Sequence, residues 1–372
     1  MHLFGIVTET WRKLAATIIE RMNHAPIPTI QAAATAGILD HTRQGGGDVH
    51  AVLRQAHLTV DDLTRPENRL PLPSFVRLIE SASRATGDEW FGAHLGQVCP
   101  LGALGLPGHI ATLAPTVEQA LESFSRHYPL LGDATDVQLR LDEEHFSFTY
   151  RVLDEESWPR RQDAEQVITM VVSLIRRWVD PRWAPELVWF EHRAPGNATE
   201  IERILGCPVR FSCATNTVWF DGAGARRPNP GADQASFQLL SWFADTVADQ
   251  PRPTQSLTDQ VLAAIDTCAN LGDGSVEPVA RSLGLQARTL QRRLRAVNTS
   301  FRDLHEQYRQ VQAAKLLEES ELPPKEIAYR LGYANASSFI RAFRSWTSTT
   351  PTRFREDKGG TLSRRSLALP SS

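Results

Sequence analysis

Between Glu277 and Phe354 the chain carries one short pattern twice, and a repeat of this kind admits few folds. The first copy reads Val279-Ala280-Arg281-Ser282-Leu283-Gly284-Leu285, then Leu290-Gln291-Arg292-Arg293-Leu294-Arg295. The second reads Ile327-Ala328-Tyr329-Arg330-Leu331-Gly332-Tyr333, then, after one extra turn residue, Phe339-Ile340-Arg341-Ala342-Phe343-Arg344. In each copy a short apolar helix runs into a glycine where the chain must turn with positive φ, and a second helix alternates apolar and basic residues. The pattern predicts two helix-turn-helix units.

In the first unit Leu290 and Leu294 lie one turn apart and face the core, which leaves Arg288, Gln291, Arg292 and Arg295 outward. Arginine and glutamine make paired hydrogen bonds to guanine and adenine edges in the major groove. In the second unit Phe339 and Phe343 face inward and Ala336, Ser337, Arg341 and Arg344 outward. Fewer long donors there imply phosphate contacts and van der Waals fit, with Arg341 the candidate for a base contact. One Arg-rich amphipathic helix is as readily a solvated surface, but such a surface has no reason to recur with the same core spacing behind the same glycine. Between the copies Phe301, Leu304, Tyr308 and Val311 predict one helix over Phe301–Glu319. Its length would let the two recognition helices enter successive major grooves, roughly 34 Å apart.

A chain of 372 residues calls for more than one core. The net charge of −3 hides an asymmetry: from Ser256 on there are 17 Lys and Arg against 12 Asp and Glu, and 23 against 31 before it. Only the C-terminal part is thus suited to phosphates. Cys99, Cys207, Cys213 and Cys268 form no CxxC pair, which argues for reduced thiols in a cytoplasmic protein and against a metal site. Residues 1–14 lack the apolar core and cleavage site of a leader, and no stretch approaches the ~20 apolar residues needed to span a bilayer. Residues 1–28 read as an extension, in which Trp11–Met22 is either an amphipathic helix or a stretch ahead of an alternative start at Met22.

Residues 29–250 read as helix-rich at first and mixed later. Phe75–Thr86, Glu89–Gly96 and Val117–Leu131 have helical periodicity, the last introduced by Pro115-Thr116. Val137–Leu141 and His145–Tyr150 alternate like strands around Asp142-Glu143-Glu144, a predicted hairpin. A helix over Asp163–Val179, strands at Leu187–Phe190, Val209–Phe211 and Thr217–Phe220, and helices at Ala198–Leu205 and Ala232–Gln250 complete an α+β domain with a small, mainly antiparallel sheet. In the last helix Phe237, Leu240, Phe243, Ala244 and Val247 make an apolar stripe, which either joins two copies of the chain or packs on its own domain. Two prolines in 251–255 make a stiff linker, 256–358 an all-α DNA-binding domain, and 359–372 a disordered tail.

The C-terminal residues carry a family resemblance. Arg309-x3-Ala313-x2-Leu316-Leu317, Ile327-Ala328, Leu331-Gly332-Tyr333, Phe339-x-Arg341-x-Phe343-Arg344 and Pro351-x2-Phe354-Arg355 resemble the DNA-binding domain of AraC/XylS-type transcriptional regulators. Asn298 and Ser348 depart from the glycine common after each recognition helix; asparagine tolerates the left-handed conformation and serine less so. Leu101-Gly102-x2-Gly105, Pro115-Thr116-x2-Gln119-Ala120-Leu121, Gly206-Cys207-Pro208-Val209-x-Phe211 and Asn216–Phe220 resemble the arabinose-binding-like effector and dimerisation domain of one subgroup.

That resemblance implies a homodimeric regulator, more an activator than a repressor, that binds promoter DNA, answers a small organic effector and works with RNA polymerase. Among aromatic residues with polar tips, His127, Tyr150 and Trp158 are the effector candidates. A ligand-independent DNA-binder whose N-terminal domain meets a protein partner is the alternative. The alkyltransferase chemistry sometimes fused to such helices needs an activated cysteine beside a histidine, and Cys207-Pro208-Val209-Arg210 lacks the histidine. No Gly-rich phosphate loop, HExxH or GxSxG is present, so neither an enzyme nor a bound cofactor is expected.

Overall fold

The computed structural model describes residues 26–141, 145–248, 256–270, 273–320, 322–347 and 349–355. The hairpin turn at 142–144, the linker at 251–255, the tail beyond 358, most of the N-terminal extension and Ser348 lie outside the described residues. The chain divides into two compact units, one of Ala25–Thr254 with Ala280–Gln286 and one of Gln255–Val279 with the residues from Ala287 on.

The first unit begins with β1 (Thr29–Gln31), which pairs antiparallel with β2 (Arg69–Pro71). Ile27 is already buried ahead of β1. The intervening α1 (Ile38–Gln44), α2 (Val49–Ala56) and α3 (Val60–Leu63) are short. Asp48 and Thr59 supply caps for the exposed amides of α2 and α3. Next come α4 (Leu72–Thr86), α5 (Phe91–Val98), α6 (Gly105–Leu113) and α7 (Val117–Leu131). Burial of Leu72, Phe75, Val76, Leu78, Ile79 and Ala82 gives α4 one apolar face, and Thr116 caps α7.

A five-stranded sheet follows: β3 (Thr135–Leu141), β4 (His145–Val152), β5 (Leu187–Trp189), β6 (Val209–Arg210) and β7 (Asn216–Asp221), in the order β3-β4-β7-β5-β6. All its pairings are antiparallel except β5 with β6. Alternation along β4 turns Phe146, Phe148, Tyr150 and Val152 into the core with Val218, Phe220 and Val188. The long helix α8 (Arg161–Trp178) supplies Ile168, Val171, Val172 and Ile175 to the same core. Helix α9 (Ala198–Leu205) closes at Gly206, whose φ of +75° stops the helix in the left-handed region. The four-residue α10 (Gly222–Ala225) leads to α11 (Gln234–Ala248).

Helix α11 has two apolar sides. Phe237, Leu240, Ala244 and Val247 pack with Ile110, Leu130 and Leu106, so the stripe seen in the sequence is in the main a core face of its own domain. Phe243 does not belong to it and is 49% exposed, alongside Leu239 at 62% and Trp242 at 65%.

The second unit is helical: α12 (Leu257–Asn270), the start of α13 (Val276–Ser282), whose last three residues group with the first unit, α14 (Ala287–Ala296), α15 (Phe301–Glu319), α16 (Pro324–Arg330), α17 (Ala336–Thr347) and a last turn at 351–355. Helix α15 has the bounds its periodicity predicts. Ser300 and Asp303 cap each other's backbone at its start, which satisfies two amides that would otherwise be bare.

Candidate nucleic-acid interface and effector residues

The two copies of the sequence pattern fold with the same backbone hydrogen bonds. In the first turn Gly284 N donates to Arg281 O at 2.9 Å and Leu285 N to Ala280 O at 2.8 Å. In the second Gly332 N donates to Tyr329 O at 3.0 Å and Tyr333 N to Ala328 O at 2.9 Å. Gly284 and Gly332 have φ of +69° and +75°, the left-handed conformation that a side chain disfavours.

On α14 Leu290 and Leu294 are fully buried, whereas Arg288, Gln291, Arg292 and Arg295 are exposed. Asn298 takes φ of 56° just past this helix, the conformation expected of it in place of glycine. On α17 Phe339 and Phe343 are fully buried, Ser337, Arg341 and Arg344 are exposed, and Ala336 is half-buried against the core. Asn335 begins α17 by accepting from Ser338 N at 2.8 Å, and the Arg341 guanidinium reaches the Ser338 hydroxyl at 3.5 Å.

Sequence reasoning missed the residues that hold these helices in place. Arg293, in the run of arginines on α14, is buried and belongs to the inside of the unit. Arg309 on α15 stacks over the Tyr333 ring at 4.8 Å, beside the second turn. Trp346 Nε1 donates to Glu306 at 3.0 Å, and Arg355 donates to the carbonyls of Leu317 and Leu322. The resemblance had marked Arg309 and Arg355, but only tertiary structure assigns them partners.

The three effector candidates do not converge. His127 is buried, accepts from Ser123 Oγ at 3.2 Å and donates through Nε2 to Asp245 at 3.0 Å, so it ties α7 to α11. Tyr150 is buried in the main core, donates to Asp163 at 2.9 Å and takes the Tyr128 hydroxyl at 3.3 Å. Trp158 is 59% exposed with the Arg160 guanidinium 4.8 Å from its ring. An aromatic residue with a polar tip thus serves as strut, core and surface in turn.

Burial raises the Asp163 carboxyl to about 7, with further upward pressure from Glu80 and Glu191 against the Tyr150 hydrogen bond and Arg160. Burial likewise raises Glu80, whose carboxylate accepts from Gln162 N at 2.9 Å. The sequence had shown α8 only as a helix over Asp163–Val179. In the structure Gln162, Asp163, Glu165, Gln166 and Thr169 are all buried along it. Cys207 is buried and its thiol is pushed up to about 12 by desolvation, the reverse of what a thiolate nucleophile needs.

With this geometry in view, two family models match the chain: "Arabinose-binding domain of AraC transcription regulator, N-term" over residues 46–229, and "Helix-turn-helix domain" over residues 279–357. The chain belongs to the AraC family of DNA-binding transcriptional regulators. This regulator is 28% identical over 331 residues to the HTH-type transcriptional regulator VirS of Mycobacterium tuberculosis, covering 88% of this chain and 96% of that one. It is 25% identical over 332 residues to the ornithine utilization regulator of Pseudomonas aeruginosa, with the same two coverages. Among solved structures it is similar to the transcriptional regulator CdpR from Pseudomonas aeruginosa, with 22% identity, 83% and 96% of the two chains covered and a TM-score of 0.40. Among the described residues no helix is long and apolar enough to cross a membrane.

Proposed function

We propose that this regulator is an activator that binds promoter DNA in the cytoplasm as a homodimer, recruits RNA polymerase, and is switched by a small organic effector held in the domain before residue 251. The observation that carries the DNA-binding part is the pair of hydrogen-bond-matched turns, each setting an outward basic helix. Arg288, Gln291, Arg292 and Arg295 on α14 and Ser337, Arg341 and Arg344 on α17 then face the DNA, with Ala336 supplying close fit. The effector part is supported by the family match over residues 46–229 and by buried polar groups in that domain. The exposed Leu239, Trp242 and Phe243 face of α11 supports the homodimer.

Control acts through linkage: an effector shifts operator affinity only by its difference in affinity for the two protein states, typically about 1–3 kcal/mol or 5- to 150-fold. Footprinting and transcription in vitro on the native promoter, with and without fractionated cell metabolites, test the whole reading. A metabolite fraction should change operator affinity and raise transcript yield. Falling yield overturns the activator reading, and operator affinity indifferent to every fraction favours the ligand-independent alternative.

A further inference from the structure

The two copies of the pattern match position by position, and the match puts on the outward side of α17 a residue that basic or polar character alone would pass over. Leu290 and Leu294 correspond to Phe339 and Phe343, and all four are fully buried. The outward residues of α14 then correspond in order: Arg288 to Ser337, Gln291 to Ile340, Arg292 to Arg341 and Arg295 to Arg344. Each set has the spacing i, i+3, i+4, i+7, which at 3.6 residues per turn keeps it within an arc of roughly 100°.

Ile340 is 36% exposed. The apolar side chains packed around the core beneath α17 are Leu316, Leu322, Tyr333, Ala336, Trp346 and Phe354, and Ile340 is not one of them. An aliphatic side chain therefore stands in the open beside Ser337, Arg341 and Arg344, which are exposed as well. A single exposed apolar residue is ordinary on a protein surface. What sets Ile340 apart is its register, because it occupies the position at which the first copy carries Gln291, a residue type that pairs with the adenine edge.

An isoleucine at that position can read only one feature of the major groove. It has no donor or acceptor for a base edge, and pressed against the polar groups of adenine, guanine or cytosine it would strip their water and return no hydrogen bond. Thymine alone presents a methyl group there. Burying that methyl against the branched side chain is favourable, so contact and penalty both select the same base.

Resting on the reading of α17 as a DNA reader, we propose that Ile340 is a specificity-determining residue that recognises the 5-methyl group of a thymine, at the place in its half-site that corresponds to the base met by Gln291 in the other. The two half-sites read by one chain then differ in kind: α14 reads with hydrogen bonds, and α17 takes part of its specificity from an apolar contact.

The test is gel-shift titration of the full-length protein on its native promoter, with each thymine inside the footprint replaced in turn by deoxyuridine, which removes the methyl and keeps the base pair. At least one replacement should weaken wild-type binding by about 4-fold, the worth of one buried methyl group. The same replacement should make no difference to Ile340→Ala, while Ile340→Val, still branched and apolar, should keep part of the dependence. A defect of folding in Ile340→Ala would weaken the thymine and uracil operators alike and leave the methyl dependence in place, and that result overturns the proposal. So does a footprint in which no thymine is methyl-sensitive, or an Ile340→Ala protein that binds the thymine operator as tightly as the wild type. If Arg341→Ala and Arg344→Ala also bind the operator at wild-type strength, α17 does not read DNA and the underlying reading fails; if they weaken binding and Ile340→Ala does not, only the role of Ile340 falls.

Discussion

Replacing Phe343 with alanine should silence one DNA reader and leave the other working. Phe343 is fully buried, with ring centroids 5.8 Å from Phe339, 6.3 Å from Trp346 and 5.4 Å from Phe354. Truncating a buried phenylalanine to alanine typically costs about 3–5 kcal/mol, from lost transfer energy and the cavity left behind. Whole domains are stable by only about 5–15 kcal/mol, and the core beneath α17 consists of Ala313, Leu317, Ile327, Ala328, Leu331, Phe339 and Phe343. The loss is therefore of the order of that core's own stability. Leu290 and Leu294, under α14, are not part of it. Hydroxyl-radical footprinting of the full chain on its operator should show protection lost at the half-site read by α17 and kept at the one read by α14. Hydrogen exchange should quicken across 324–347 but not across 287–296. Phe343→Leu, which retains most of the apolar volume, should preserve both half-sites. Unchanged protection in Phe343→Ala, or simultaneous loss of both half-sites, would refute the claim that the readers rest on separable cores.

Arg292→Ala should cost roughly 1–3 kcal/mol on the operator and far less on random DNA in gel-shift titration, if Arg292 pairs with a guanine; equal loss on both would make it a phosphate contact. Because burial lifts Asp163 from 3.8 to about 7, the folded protein holds a proton that the unfolded chain releases near pH 4. Its contribution to stability is full below about pH 4 and lost as the pH rises through about 7. Urea melts of Asp163→Asn should therefore gain most over wild type near pH 8 and show a weaker fall with pH, leaving the same-signed slope from Glu80; an unchanged pH profile counts against this assignment. Paired Leu239→Ser and Trp242→Ser substitutions should shift the protein from dimer to monomer in sedimentation without lowering its melting temperature, whereas a dimer that persists excludes this face of α11.

What was legible in the sequence was local. Turn glycines, core spacing and the limits of α15 depend on residues a few positions apart, and the Ser300–Asp303 cap is written in the chain itself. The α+β character of the first domain was legible for a related reason, since apolar residues alternate along β4 and β7 carries the apolar run Val218-Trp219-Phe220. Strands β1 and β2, three residues each, are too short to show a period. The surroundings of the effector candidates were not legible because they are fixed by distant pairings. His127 meets a partner 118 positions away, and Tyr150 points inward only because β4 lies between β3 and β7 in a particular register. On α8 the composition gave no warning that five polar residues would all be enclosed. On α11 one stripe was read correctly as apolar, but a helix can carry two such stripes, and only packing shows which one the domain uses.

The closeness of α5 to α8 has a consequence for how this domain tolerates change. A methyl group on Gly92 would come 2.0 Å from the Gln162 carbonyl oxygen, and one on Gly96 2.5 Å from that of Gln166. Neither glycine has positive φ, so no turn explains them. In a saturation mutagenesis screen they should stand out as positions where even alanine is rejected, within a helix, where alanine is ordinarily the best-accepted residue. Alanine there would have to push apart the helices that place Glu165, Gln166 and Thr169. Variants recovered from such a screen with restored function should carry their second change on α5 or α8, and a change in operator response among them would report on the spacing between two backbones rather than on any side chain that touches DNA.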